Sequence, residues 1–176
     1  MMEFSRRFAG ENMTNIVKIA ISAAALALAG CTLPQAPLPG EPLEAVRAKL
    51  GAPTAVYPMP DGQMLEYATG PFGQYTYMAR IGQDGRLVSW EQVLTGEKFA
   101  TIKIDRATKE DVLRTLGRPA EVSRVALRNY EVWSYRYKEA GVWDSLMHVH
   151  FDEQGVVRQM MNGPDPRFER DGKFGL

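Results

Sequence analysis

The chain has 176 residues, enough for one domain or two small repeated units, and its 21 lysines and arginines balance 21 aspartates and glutamates. A formal net charge of zero leaves no electrostatic footprint for nucleic acid. Two histidines and a single cysteine exclude an internal disulfide and a multi-cysteine metal site.

The first element is the apolar run Ile19 to Ala29, IAISAAALALA. It is too short to span a bilayer as a helix, but it has the length of a signal-peptide core. Lys18 stands just before it and Arg6 and Arg7 lie upstream, as a positive leader requires. Leu28-Ala29-Gly30-Cys31 follows and resembles the lipobox of bacterial lipoproteins. Small residues before the cut let an extended backbone enter the peptidase, and a thiol is the atom through which diacylglycerol is joined. The resemblance implies that residues 1–30 are a lipoprotein signal peptide and that Cys31 carries lipid on sulfur and amine. It implies no other cofactor. Thr32, standing where an aspartate would resemble an inner-membrane retention signal, implies transfer to the outer membrane. The stretch from Met13 alone reads as a complete signal of this kind. Residues 31–41 are proline-rich and read as a lipidated, extended tether.

A repeat follows. PLEAVRAKLGAPTAVY, Pro42 to Tyr57, matches TKEDVLRTLGRPAEVS, Thr108 to Ser123, in the pattern V-x-x-x-L-G-x-P. Leu43, Val46 and Leu50 share one helical face in the first copy; Val112, Leu113 and Leu116 do so in the second. Pro42 suits a first helical turn, and Thr108 with Asp111 is a variant of the capping box. Gly51 and Gly117 are predicted helix ends, with Pro53 and Pro119 beyond them. Helices of about eight residues are unstable alone and must lean on a sheet.

Strands are predicted from period-two alternation. Tyr75, Tyr77, Ala79 and Ile81 alternate with Thr76, Met78 and Arg80; Met147, Val149 and Phe151 alternate with His148, His150 and Asp152. Gln83-Asp84-Gly85 and Glu153-Gln154-Gly155 are turns, after which Arg86 to Leu94 and Val156 to Met161 return. Met64 to Thr69 and Tyr130 to Tyr137 are the strands before them. The expected fold is α+β: two αβββ repeats, 42–98 and 99–161, each a short helix on half-covered antiparallel sheet. Phe99 to Ile104 is expected to be an extended linker, and 162–176 a flexible tail.

The second copy carries a further resemblance. Lys103-Ile104-Asp105-Arg106-Ala107-Thr108, then Val112, Leu116, Gly117 and Pro119, then Trp133 and Tyr135, then Phe151-Asp152-Glu153-Gln154-Gly155-Val156-Val157 are similar to the motif string of the SmpA/OmlA (BamE-like) outer membrane lipoprotein family. The tandem arrangement also resembles that of β-lactamase inhibitor protein. The likeness covers Phe99 to Gln159 and, more loosely, Pro42 to Val93. Arg106-Ala107 stands where the family has Gly-Met.

Candidates for chemistry are few. His148, His150 and Asp152 share a predicted strand face, but same-face neighbours lie nearly 7 Å apart. They read as a solvated face or a partner contact. Ser145 near His148 lacks a nucleophile elbow, and Glu131 with Glu139 or Asp144 implies no cleft. No catalytic or metal site is expected. The aromatic residues Tyr67, Phe72, Tyr75 and Tyr77, and Trp133, Tyr135, Tyr137 and Trp143, are sheet core or binding patch. Trp143, after Gly141-Val142 in a predicted loop, is the best exposed anchor; Tyr137, Phe72, His148 and His150 are further partner-contact candidates. The resemblance implies a non-catalytic binding or scaffold module, held to the bilayer through Cys31 and facing the periplasm. Its implied partner is an envelope protein, with the outer membrane assembly machinery as candidate. An inhibitor of an envelope hydrolase and a purely structural lipoprotein are the alternatives.

Overall fold

The computed structural model describes residues 36–70 and 72–168. The expected signal peptide and lipobox, with Cys31, lie outside the described residues, as does most of the predicted tail. No helix among the described residues is long and apolar enough to cross a membrane.

The protein is α+β, with two four-stranded antiparallel sheets and a few short helices. Helix α1 (Leu43–Leu50) precedes β1 (Ala55–Met59), β2 (Gly62–Ala68), β3 (Thr76–Gly82) and β4 (Leu87–Gln92). After α2 (Gly96–Phe99) come α3 (Lys109–Leu116), β5 (Glu121–Val125), β6 (Tyr130–Glu139), β7 (Trp143–Phe151) and β8 (Val157–Pro164). Each sheet is a meander, in the order β1-β2-β3-β4 and β5-β6-β7-β8.

The two halves match bond for bond. Gly51 N–H donates to Arg47 O at 2.8 Å, and Gly117 N–H to Leu113 O at 2.9 Å. Leu43 N–H meets Gly85 O at 2.9 Å, as Lys109 N–H meets Gly155 O at 3.0 Å. The β3–β4 register shifts at Arg80/Ile81 and the β7–β8 register at His150/Phe151. The Tyr67 hydroxyl reaches Gly51 O at 3.5 Å, and that of Tyr135 reaches Gly117 O at 3.0 Å.

Several expectations need correction. Each half has four strands after its helix, not three: β1 and β5 are outer strands that the αβββ reading lacks. β1 contains Pro58, tolerated because an outer strand need not donate on both sides, and every residue of β5 is exposed. Phe99 to Ile104 is not extended. Thr95 Oγ1 accepts the Lys98 N–H at 3.1 Å to start α2, which buries Phe99, and Ile102 packs into the same core. The tail does not loosen at Asn162: β8 runs to Pro164, and Asp165 is buried. At the other end, Leu87 N–H donates to Glu41 O at 2.8 Å, so the tether already joins the fold there.

The core explains why both short helices persist. Val46 of α1 is fully buried on one face of the first sheet, among Leu65, Ala79, Ile81 and Leu87. α3 places Val112 and Leu116 on Trp133, Tyr135, Val149, Phe151 and Val157 of the second sheet. The same cluster takes in Leu113 with Met64, Met78 and Tyr57 from the other face of the first sheet. The first sheet is therefore covered on both faces, not half-covered: Thr76 and Met78 of β3 are each only 3% exposed. Burying each such aliphatic side chain contributes about 1.5–3 kcal/mol.

The carboxylate of Glu66 sits in this junction with 0% exposure. Its Oε2 accepts from the Tyr57 hydroxyl at 2.5 Å and from the Arg118 N–H at 3.2 Å, and its Oε1 from the Thr54 hydroxyl at 3.1 Å. Partners from both halves satisfy it, as a buried charge requires.

Candidate interaction surface

The loop joining β2 to β3 and the hairpin joining β6 to β7 meet at one end of the molecule. Thr69 closes the first: its N–H and its hydroxyl both donate to Tyr75 O, at 3.1 and 2.8 Å. The second turns at Ala140 and Gly141, whose φ values of 49° and 75° are the left-handed geometry of a tight hairpin. That turn lets β7 begin at Trp143, which the sequence reading placed in a loop.

One hydrogen bond ties the two loops: Gln74 Nε2 donates to Asp144 Oδ1 at 2.5 Å. Lys138 Nζ pairs with the same oxygen at 2.7 Å. Lys138 first, and then the Gln74 amide, hold the Asp144 carboxyl below the usual carboxylate range. Glu139 is fixed by Ser145 Oγ at 2.8 Å and Asn162 Nδ2 at 2.9 Å. With its polar groups engaged, the loop end presents apolar atoms: Trp143 is 70% exposed, Phe72 68% and Val142 65%, with Tyr75 also exposed. The Arg167 guanidinium lies over the Phe72 ring, 4.2 Å from its centroid. A cavity of about 400 Å³ opens between the loops, lined by Tyr75, Gln92, Leu94, Thr95, Lys138 and Gly141.

The other candidates lie elsewhere. Tyr137 is not a surface residue. It is 2% exposed and meets the Phe99 ring edge-on at 4.9 Å, because it alternates onto the core face of β6. His148 and His150 are half-buried on the face of the second sheet opposite α3, roughly 16 and 23 Å along β7 from Trp143. His148 Nδ1 shares a hydrogen bond with Ser134 Oγ at 2.8 Å, and His150 meets Tyr130 edge-on at 6.5 Å. Burial, and then His148, push the His150 imidazole below its usual value. Asp152 does not join them. It caps the β7–β8 turn, accepting from Gln154 N–H and Val156 N–H at 3.0 and 2.9 Å, and pairs with Arg158 at 2.6 Å. Among the described residues no group of three His, Cys, Asp or Glu is arranged to hold a metal. Ser145 alternates to the opposite face of β7 from His148, and Glu131 is bound to Lys109 at 2.8 Å.

No protein-family model and no curated protein matches this chain. Among solved structures, the chain is similar to a DUF4309 family protein, YjgB, from Bacillus subtilis. The identity is 15% over 69% of this chain and 77% of that one, with a TM-score of 0.31.

Two contacts at the site had no local signal in the sequence. Gln74 and Asp144 are 70 residues apart, and Arg167 reaches Phe72 from beyond the last strand. Only tertiary structure brings them together.

Proposed function

We propose that this protein is an outer membrane lipoprotein of the SmpA/OmlA (BamE-like) kind, in tandem form, working as a non-catalytic binding or scaffold module in the cell envelope. Lipid on Cys31 holds it to the membrane, facing the periplasm. Confinement to a surface raises effective concentration, so a modest interface suffices. The observation that carries the binding reading is the apolar loop end, where Val142 and Phe72, with Trp143 at the start of β7, stand exposed beside the bond between Gln74 and Asp144. Exposed tryptophan in a rigid frame is the usual anchor of a protein interface. The motif likeness supports an accessory role in outer membrane protein assembly.

A photo-crosslinker at Val142 in living cells tests this. Capture of an outer membrane assembly component, lost in a Trp143→Ala variant of unchanged stability, is the expected result. Capture of a wall-degrading enzyme instead favours the inhibitor reading, to which the same aromatic loop end is suited. The anchoring is tested separately: Cys31→Ser moves the protein from the membrane fraction to the soluble fraction, and intact mass shows no acyl chains.

A further inference from the structure

The second sheet has an edge that nothing among the described residues closes. β5 pairs with β6 on one side only, and all five of its residues are exposed. None of its backbone groups is hydrogen-bonded beyond β6 among the described residues. The other outer strands are protected differently. β1 carries Pro58, which has no N–H to offer. β4 is engaged at its start by Glu41 O, and β8 by Ala107 O, each at 2.8 Å from the strand's first N–H. β5 has neither device, and it exposes Val122 and Val125 to water.

The edge carries exposed arginines. Arg124 and Arg128 are exposed in the stretch 121–128, whose one acidic residue is Glu121; the Arg118 side chain is engaged elsewhere, with the Tyr57 hydroxyl. Arg124 hydrogen-bonds Asn129 Oδ1 at 2.9 Å, whose amide in turn donates to Glu153, and it faces Glu131, which Lys109 pairs with at 2.8 Å. Arg128 is in no ion pair among the described residues. An open edge supplies main-chain hydrogen bonds, which ignore sequence; flanking charges choose which chain receives them.

We propose that β5 is a docking edge for an extended, acidic segment of a partner polypeptide, which joins the second sheet as a fifth strand with its carboxylates against Arg124 and Arg128. This surface is separate from the aromatic loop end and stands or falls independently of it. The edge is roughly 17 Å long, so the segment it accepts is about five to seven residues.

The probes are two capped seven-residue peptides, one alternating glutamate with valine and one alternating lysine with valine. Each is titrated into the isotope-labelled full chain in detergent. The glutamate peptide is expected to bind about tenfold or more tighter than the lysine peptide, and to weaken with salt. The amides of residues 121–125 gain protection from hydrogen exchange on binding. Methylation of alternate peptide nitrogens, which removes strand pairing but keeps charge, abolishes binding. Arg124→Glu combined with Arg128→Glu weakens it about tenfold, with the amide spectrum away from β5 unchanged. Trp143→Ala leaves it unaltered. Equal affinity for both peptides, retained binding of the methylated peptide, protection confined to other strands, or no binding at millimolar peptide would each overturn the proposal.

Discussion

Gly51 and Gly117 hold nearly the same backbone angles, φ 80° and ψ −162° against φ 81° and ψ −164°, yet a methyl group would meet different surroundings at each. Both lie in a region essentially reserved to glycine, where a side chain costs roughly 1–3 kcal/mol. At Gly51 nothing stands within 4 Å of the added carbon; at Gly117 the Glu66 carboxyl lies 2.9 Å away. Gly51→Ala is therefore expected to cost about 1–3 kcal/mol, all of it backbone. Gly117→Ala should cost about 1–3 kcal/mol more, because the buried carboxylate must leave its donors. Denaturant melts of the two variants give the difference, and equal costs would remove Glu66 from the account. The same cluster predicts behaviour in alkali. Burial first, and then the bond to Glu66, push the Tyr57 hydroxyl far above its ordinary value, and burial pushes Tyr135 up as well. Below the ordinary tyrosine value of about 10 both states keep the proton and stability is full. Above it the unfolded chain releases protons that the folded one retains, so stability falls as pH rises. Tyr57→Phe should flatten that fall, read from melts taken across the alkaline range. None of this could be read from the local sequence. Glu66 occupies the polar slot of an alternating strand, a slot that ordinarily faces water, and only the arrival of Arg118 makes it interior.

Among the elements, the two long helices were the most legible, since glycine, proline and a capping box mark their ends whatever surrounds them. α3 has the full cap: Thr108 Oγ1 accepts from Asp111 N–H at 3.3 Å, and Asp111 Oδ2 accepts from Thr108 N–H at 2.9 Å. α1 has Pro42 and no side-chain cap. Thr108→Ala should cost about 1 kcal/mol, whereas Pro42→Ala should cost much less, as thermal melts will show. The donation from the Thr108 backbone, with its hydroxyl second, holds Asp111 below the usual carboxylate range, so the cap is intact above that range and is lost as pH falls through it. Strands were legible where apolar residues alternate onto a core face, as in β7, and in β3 even though its second face is covered too. β5 escaped notice because all its residues are exposed and periodicity has nothing to report. β1 escaped because Pro58 argues against a strand unless its place at an edge is known. In the candidate surface, Trp143 and Phe72 were legible because they follow glycine in turn-rich segments. Tyr137 was misread, because an aromatic near a hairpin looks the same from the sequence whichever face it takes.

At the scale of the whole molecule, the duplicated pattern does not make two independent bodies. α3 packs on the second sheet and also joins the cluster that holds Met64 and Met78 of the first. Leu116→Ala should accordingly cost about 2–5 kcal/mol and lower a single transition, not that of one half. Trp90, stacked on Tyr77 at 4.9 Å, reports the first sheet, and Trp133, 4.7 Å from Phe151, reports the second. Their fluorescence changes in single-tryptophan variants should coincide along the denaturant axis. Separate midpoints would mean that the halves melt alone.

The matching halves also show how the series stops. Leu113, the residue by which α3 reaches back to the preceding sheet, corresponds in α1 to Arg47, which is exposed and pairs loosely with Glu44 at 3.9 Å. A further unit stacked ahead of α1 would have to strip water from that guanidinium and its loosely held Glu44, at a cost of several kcal/mol. A polar residue at this position suits a terminal unit, since the outer face of an end repeat must stay wet.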